Sequence, residues 1–159
     1  METLGEGFLL QAIHSEIIAR DAYSALAEKI RAAGGKAVMA GMSSEEEHHR
    51  SVLAGRYKSL TGKDYVYNPE MDAGPDFSFV KESTFGYTGA MDALRLALSA
   101  EIDAVRHYSN ALAGADNRED KKMLSMLIKF EKGHKKKLEK ELKKLARDNH
   151  WLMDKPESA

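Results

Sequence analysis

The sequence predicts an all-α protein: a four-helix bundle of two duplicated helical hairpins joined by a long crossover. Three observations carry this. Apolar residues recur at helical spacing in four separate segments. A set of ligand-type residues occurs twice at one fixed offset, since Glu16, Glu46 and His49 each have a like partner 85 positions on, in Glu101, Glu131 and His134. Tyr23 and Tyr108, Ala19 and Ala104, and Leu53 and Leu138 obey the same offset. The connection between the two copies, residues 62–87, is far longer than those inside them, as expected of a crossover rather than a tight turn.

The first helix is expected to open at Thr3-x-x-Glu6, a capping box that satisfies two orphan backbone donors. Leu9, Ala12/Ile13, Ala19, Tyr23, Leu26 and Ile30 form its apolar stripe, and Gly34-Gly35 is expected to end it. The second runs from about Lys36 to Leu60, with Val38/Met39, Met42, Val52/Leu53, Tyr57 and Leu60 on one face, and Thr61-Gly62 closes it. The crossover contains Asn68-Pro69 and Gly74-Pro75, and its aromatics (Tyr65, Tyr67, Phe77, Phe79, Phe85) predict that it packs on the protein. The third helix runs from about Thr88 to Ala113 on Leu94, Ala97/Leu98, Ala104/Val105, Tyr108 and Ala111/Leu112. Gly114 supplies a stop and Asp116-Asn117 an N-cap. The fourth runs from Arg118 to about Asp148, with Leu124, Leu127, Leu138, Leu142 and Leu145 inward. Residues 1–150 thus form one domain with hairpins 3–61 and 88–148, and 151–159 form a C-terminal tail, frayed after Trp151 from Asp154 on. Short loops make each hairpin antiparallel. A helix of about 25 residues is roughly 38 Å long, and the crossover can span it at about 3.3 Å per residue, which sets the second and third helices parallel.

Composition narrows the function. At 159 residues the chain is long enough for one proper core. It has no cysteine, which removes disulfides, zinc-thiolate sites, iron–sulfur clusters and a Cys₄ iron centre from these residues and fits a reducing cytoplasm. No run of 18 apolar residues predicts a membrane span, and no basic-then-apolar leader is visible at the N-terminus. A net charge of −1 gives no reason to expect nucleic acid. The expectation is a cytoplasmic protein with neither a nucleic-acid nor a membrane partner.

The acids sit where acids should not be. Glu16 interrupts the stripe between Ile13 and Ala19, and Glu101 that between Leu98 and Ala104. Glu46 and His49 interrupt Met39, Met42 and Leu53; Glu131 and His134 interrupt Leu124, Leu127 and Leu138. Four carboxylates facing one interior repel one another and lose hydration at several kcal/mol per ion, so they must protonate or find cations. Two divalent metals neutralise all four. The Glu-x-x-His spacing turns both side chains to one face, a turn apart. Carboxylate with imidazole suits iron or manganese rather than thiophilic ions, and a Glu from each of two helices with Glu-x-x-His from each of the others is the known ligand set of di-iron carboxylate bundles.

With Glu16-x-x-Ala19-x-x-x-Tyr23, Glu46-x-x-His49-x-x-x-Leu53, Glu101-x-x-Ala104-x-x-x-Tyr108 and Glu131-x-x-His134-x-x-x-Leu138, the chain resembles the rubrerythrin branch of the ferritin-like superfamily. The resemblance implies a ferritin-like bundle holding two irons, bridged by Glu46 and Glu131, with Glu16 and Glu101 as terminal ligands and His49 and His134 capping one metal each. Tyr23 and Tyr108 would hydrogen-bond ligand carboxylates. Manganese or a mixed pair is an alternative. The implied activity is reduction of hydrogen peroxide or dioxygen. Two features depart from rubrerythrins proper: Ala104 replaces a further Glu, and there is no rubredoxin domain within these residues. Electrons would therefore come from an external donor such as a rubredoxin-like protein.

Rival readings are a ferroxidase or iron-storage protein, a metal-free structural or interaction bundle, and a manganese catalase, usually a longer chain. Glu45 and His48 form a competing Glu-x-x-His, but His48 leads to Val52 and Arg56 where His49 leads to Leu53 and Tyr57, so Glu45, Glu47 and His48 are expected in solvent. His14 and His107 are expected to have polar or packing roles, and His150 none. The lysine run from Lys132 to Lys144, with Glu139 and Glu141, reads as a solvated face, and Met39, Met42, Met123 and Met126 as core filler. Each hairpin cannot bury its ligand-bearing face alone, so a homodimer is expected, with hairpin exchange between chains as one route to it.

Overall fold

The structure is a computed structural model, and it describes residues 4–71, 74–148 and 151–152. Four long helices run in chain order: α1 (Glu6–Lys29), α2 (Ala33–Thr61), α3 (Tyr87–Gly114) and α4 (Arg118–Arg147), with one 3₁₀ turn, Ser78–Lys81, in the crossover. No strand occurs among the described residues. α1 packs on α2 and α3 on α4, as antiparallel hairpins. The ligand-type side chains of the two hairpins meet in the interior of the bundle.

Local chemistry sets the helix ends, and three differ from expectation. α1 starts at Glu6 behind Gly5, which offers no side-chain cap; Thr3 of the expected capping box lies outside the described residues. Gly34 and Gly35 do not end α1, which stops at Lys29; they lie in the first turn of α2. The reason is Trp151. Its carbonyl accepts from the Arg31 and Ala32 N–H groups at 3.1 and 3.3 Å, fixing the break between the helices. Its ring lies so close to Gly35 that a Cβ there would stand 2.8 Å from the indole nitrogen. Gly35 is thus a close-approach glycine rather than a terminator. α2 ends as read, at Gly62 in the left-handed region with φ 75°. Asn117 caps α4, its side chain accepting from the Asp120 N–H at 2.8 Å.

Two apolar clusters lie on either side of the charged layer. Leu26, Ile30, Met39, Met42, Leu94, Leu138 and Leu145 build one; Leu9, Ile13, Leu53, Leu124 and Leu127 build the other. The crossover packs down as its aromatics predict: Val80 is fully buried, and Phe77, Phe79 and Phe85 pack against the first cluster. Leu60, read as inward, is 44% exposed because it lies in the last turn of α2, past the packed face.

Trp151, placed at the head of the C-terminal tail, is 3% exposed and belongs to the core, while the stretch expected to fray, from Asp154 on, lies outside the described residues. Its indole N–H donates to Glu141 at 2.8 Å. Glu141, read as part of a solvated face, is therefore buried at 1% exposure, with Lys144 at 3.3 Å as its second partner. Replacing the indole by a methyl group removes a large apolar body and orphans a buried carboxylate. Trp151→Ala is expected to lower the unfolding free energy by about 3–5 kcal/mol, read from denaturant midpoints; an unchanged midpoint would refute this packing.

Candidate metal centre

The apolar periodicity that buries Leu9 and Ile13 also turns Glu16 inward, and the same holds for Glu101 on α3. Glu46 and His49 on α2, and Glu131 and His134 on α4, point into the same layer. All six are at most 4% exposed. Their ligand atoms fall into two groups: Glu16, Glu46, His49 and Glu131 in one, Glu46, Glu101, Glu131 and His134 in the other, with the atoms of each within 4.8 Å of one another. Glu46 and Glu131 belong to both. The six residues predicted from the sequence are thus brought together, and the two shared acids are those that the resemblance makes bridges.

The repeat in the sequence appears in space as reciprocal contacts. The Tyr23 hydroxyl donates to Glu101 and the Tyr108 hydroxyl to Glu16, each at 2.5 Å. His49 Nδ1 lies 2.9 Å from Glu131 Oε1, and His134 Nδ1 lies 2.8 Å from Glu46 Oε1. The second of these is close without being aligned: among the described residues neither atom has a hydrogen-bond partner, and Glu101 Oε2 and His49 Nε2 are likewise buried without one. A lone pair on each of Glu46 Oε1, Glu101 Oε2 and His134 Nδ1 is left for something other than a proton donor. Unsatisfied buried polar atoms of this kind call for an ion, and a set of four carboxylates with two imidazoles fits two divalent metals in charge and donor type.

Without metal, protons fill part of that role. Burial, then the neighbouring Glu16 and Glu131 charges, push the Glu46 carboxyl well above the usual range. Burial and Glu131 push Glu101 up to about 8. Burial opposes charge on His49, but Glu131, Glu16 and Glu46 win and raise it to about 12. His134 is raised likewise by Glu101, Glu131 and Glu46 against its burial. Burial and the Glu16 charge raise Glu131, but the adjacent Glu101, His134 and His49 side chains outweigh them and hold it below the usual range. Burial first, then Glu101 or Glu16, keep Tyr23 and Tyr108 protonated and therefore able to donate.

Glu45 was missed. Far from lying in solvent, it accepts from His134 Nε2 at 2.5 Å, with Lys137 at 3.6 Å. Partial burial raises its carboxyl, but His134 and Lys137 outweigh this and hold it below the usual range. The 85-residue offset could not find it, because its counterpart is Phe130. Glu47 is half-buried, clamped by Arg50 at 2.7 Å and Arg20 at 2.7 Å, and His48 is exposed as expected. His14 is buried and stacks on Tyr67 with ring centroids 5.4 Å apart. His107 lines a cavity of about 210 Å³ between α1, α3 and the crossover, whose floor includes Glu16, Glu101, Tyr108 and the small side chains of Ala19 and Ala104. Small molecules can reach the carboxylates there.

Comparison with solved structures places this geometry. A protein of Pyrococcus furiosus described only as hypothetical superposes with a TM-score of 0.80 at 29% identity, covering 89% of this chain and 90% of that one. A dodecameric thioferritin, the bacterioferritin-related protein of Bacteroides fragilis, gives 0.70 at 18% identity over 89% and 86%. The bacterioferritin of Rhodobacter capsulatus gives 0.65 at 23% identity over 97% and 95%, and shares the fold. None of the curated proteins matches the chain. The Rubrerythrin family model matches residues 7–142, a span that contains both hairpins and all six ligand-type residues, and the chain belongs to the rubrerythrin family.

Proposed function

We propose that this protein is a di-iron redox enzyme that reduces hydrogen peroxide, or dioxygen, with electrons from an external donor such as a rubredoxin-like protein. The observation that carries the reading is a pair of buried ligand groups sharing two carboxylates. Iron held there would supply two electrons at one place; manganese or a mixed pair fits the same donors. Glu46 and Glu131 would bridge, Glu16 and Glu101 would hold the outer positions, and His49 and His134 would cap one metal each. Tyr23 and Tyr108 fix the outer carboxylates through their hydroxyls and keep them from rotating into the cavity. The apolar clusters on both sides keep bulk water from the layer. At the cavity wall, Ala104 leaves an uncharged, small surface where rubrerythrins proper carry a further carboxylate, and a neutral oxidant can approach there without desolvating a charge.

Stopped-flow absorbance of anaerobically reduced, iron-loaded protein tests this reading. Mixing with hydrogen peroxide is expected to oxidise the centre faster than mixing with dioxygen, with about two irons per chain before and after. Faster oxidation by dioxygen, with tens of irons accumulating per chain, would replace the reading by iron storage.

A further inference from the structure

We infer that the two metal positions of this centre are inequivalent: Glu45 is a positioning residue for His134, and the other half of the duplicated site has no such residue. The inference rests on the metal-binding reading of the site. Both histidines turn Nδ1 toward the carboxylates, so each must carry its proton on Nε2 to ligate through Nδ1. For His134 that proton has an acceptor. Glu45 Oε2 lies 2.5 Å from Nε2, and an ionised carboxylate can only accept. The contact fixes the tautomer, holds the ring plane and raises the basicity of the ligating nitrogen.

The duplicate half lacks the counterpart of this contact. Position 130, 85 residues beyond Glu45, is Phe130, whose ring meets the His49 ring edge-on with centroids 5.3 Å apart. His49 Nε2 is buried with no hydrogen-bond partner among the described residues. No acceptor there fixes the tautomer, holds the ring plane or raises the basicity of the ligating nitrogen. The other reciprocal contacts match closely across the repeat: 2.5 Å for both tyrosine hydroxyls, and 2.9 and 2.8 Å for the two Nδ1 contacts. The difference between the metal positions therefore comes mainly from one residue pair, Glu45 against Phe130. The position capped by His134 is the tighter of the two and fills first.

Anaerobic Co²⁺ titration of the full chain, followed by visible absorption and checked by equilibrium dialysis, reads both affinities. The wild type is expected to bind in two resolved steps. Glu45→Ala should weaken one step by about 10–100-fold, the usual effect of removing a histidine's supporting carboxylate, and leave the other unchanged. Phe130→Glu, which installs the missing acceptor beside His49, should strengthen the weaker step. Mössbauer spectra of the ⁵⁷Fe²⁺ form should show two doublets, of which Glu45→Ala moves one. A purely structural role for Glu45 would change thermal stability but not a single doublet. If the wild type binds no metal, the metal-binding reading itself fails. If it binds two, and Glu45→Ala alters both steps equally or neither, only this inference falls.

Discussion

Glu46→Ala combined with Glu131→Ala is expected to take the protein from two bound metals per chain to none that survives dialysis. These two carboxylates are the members common to both ligand groups, so each metal position loses two of its four donors at once. The histidines lose their nearest acids as well, since His49 faces Glu131 at 2.9 Å and His134 faces Glu46 at 2.8 Å. Losing a mere supporting partner costs about 10–100-fold in affinity, so losing two direct donors per metal should exceed that range. The fold should persist. Glu16 and Glu101 remain to balance His49 and His134, their tyrosine hydrogen bonds stay intact, and neither apolar cluster is touched. Elemental analysis after reconstitution, beside far-ultraviolet circular dichroism, makes the measurement. Unchanged stoichiometry in a folded double variant would remove the site assignment; lost metal in an unfolded one would call for the milder Glu→Gln pair, with the same loss expected.

Much of this molecule is legible in its sequence, for a physical reason. A buried ionisable side chain is costly, so six of them inside apolar stripes must share a purpose, and the fixed offset says which belongs with which. The same logic fails where a contact depends on chain segments remote from the pattern. Gly34-Gly35 reads as a helix stop, because nothing local reveals that Trp151 will lie against Gly35. Glu141 reads as one more charge on a lysine-rich face, because its partner is the indole of that same tryptophan. Glu45 reads as a solvated neighbour of Glu46, because its partner sits on α4 and its repeat counterpart is apolar. The helix boundaries follow the same division. Gly62 and Asn117 act through their own backbone and side chain and are read correctly; the break between α1 and α2 is set from a distance and is not.

Metal affinity should climb steeply with pH through neutrality. In the metal-free chain the layer is held together by protons: His49 is raised to about 12 by Glu131, Glu16 and Glu46 against its burial, His134 is raised by Glu101, Glu131 and Glu46, and Glu101 is pushed to about 8 by burial and Glu131. All three lie above neutral pH, so all three are mainly protonated there. A metal needs neutral imidazole and ionised carboxylate, so it must displace those protons. The sign follows: lowering the pH supplies the competitor and weakens binding, and raising it strengthens binding until the groups titrate in the free chain. If each histidine gives up one proton, the product of the two binding constants rises about 100-fold per pH unit. Calorimetry in two buffers of different ionisation enthalpy counts the protons released, and chelator competition between about pH 6 and 8 gives the slope. Release of at least two protons per metal pair is expected. Binding that is flat with pH, or that weakens as pH rises, would mean that the imidazoles are already neutral in the metal-free protein and that the carboxylates alone carry its charge.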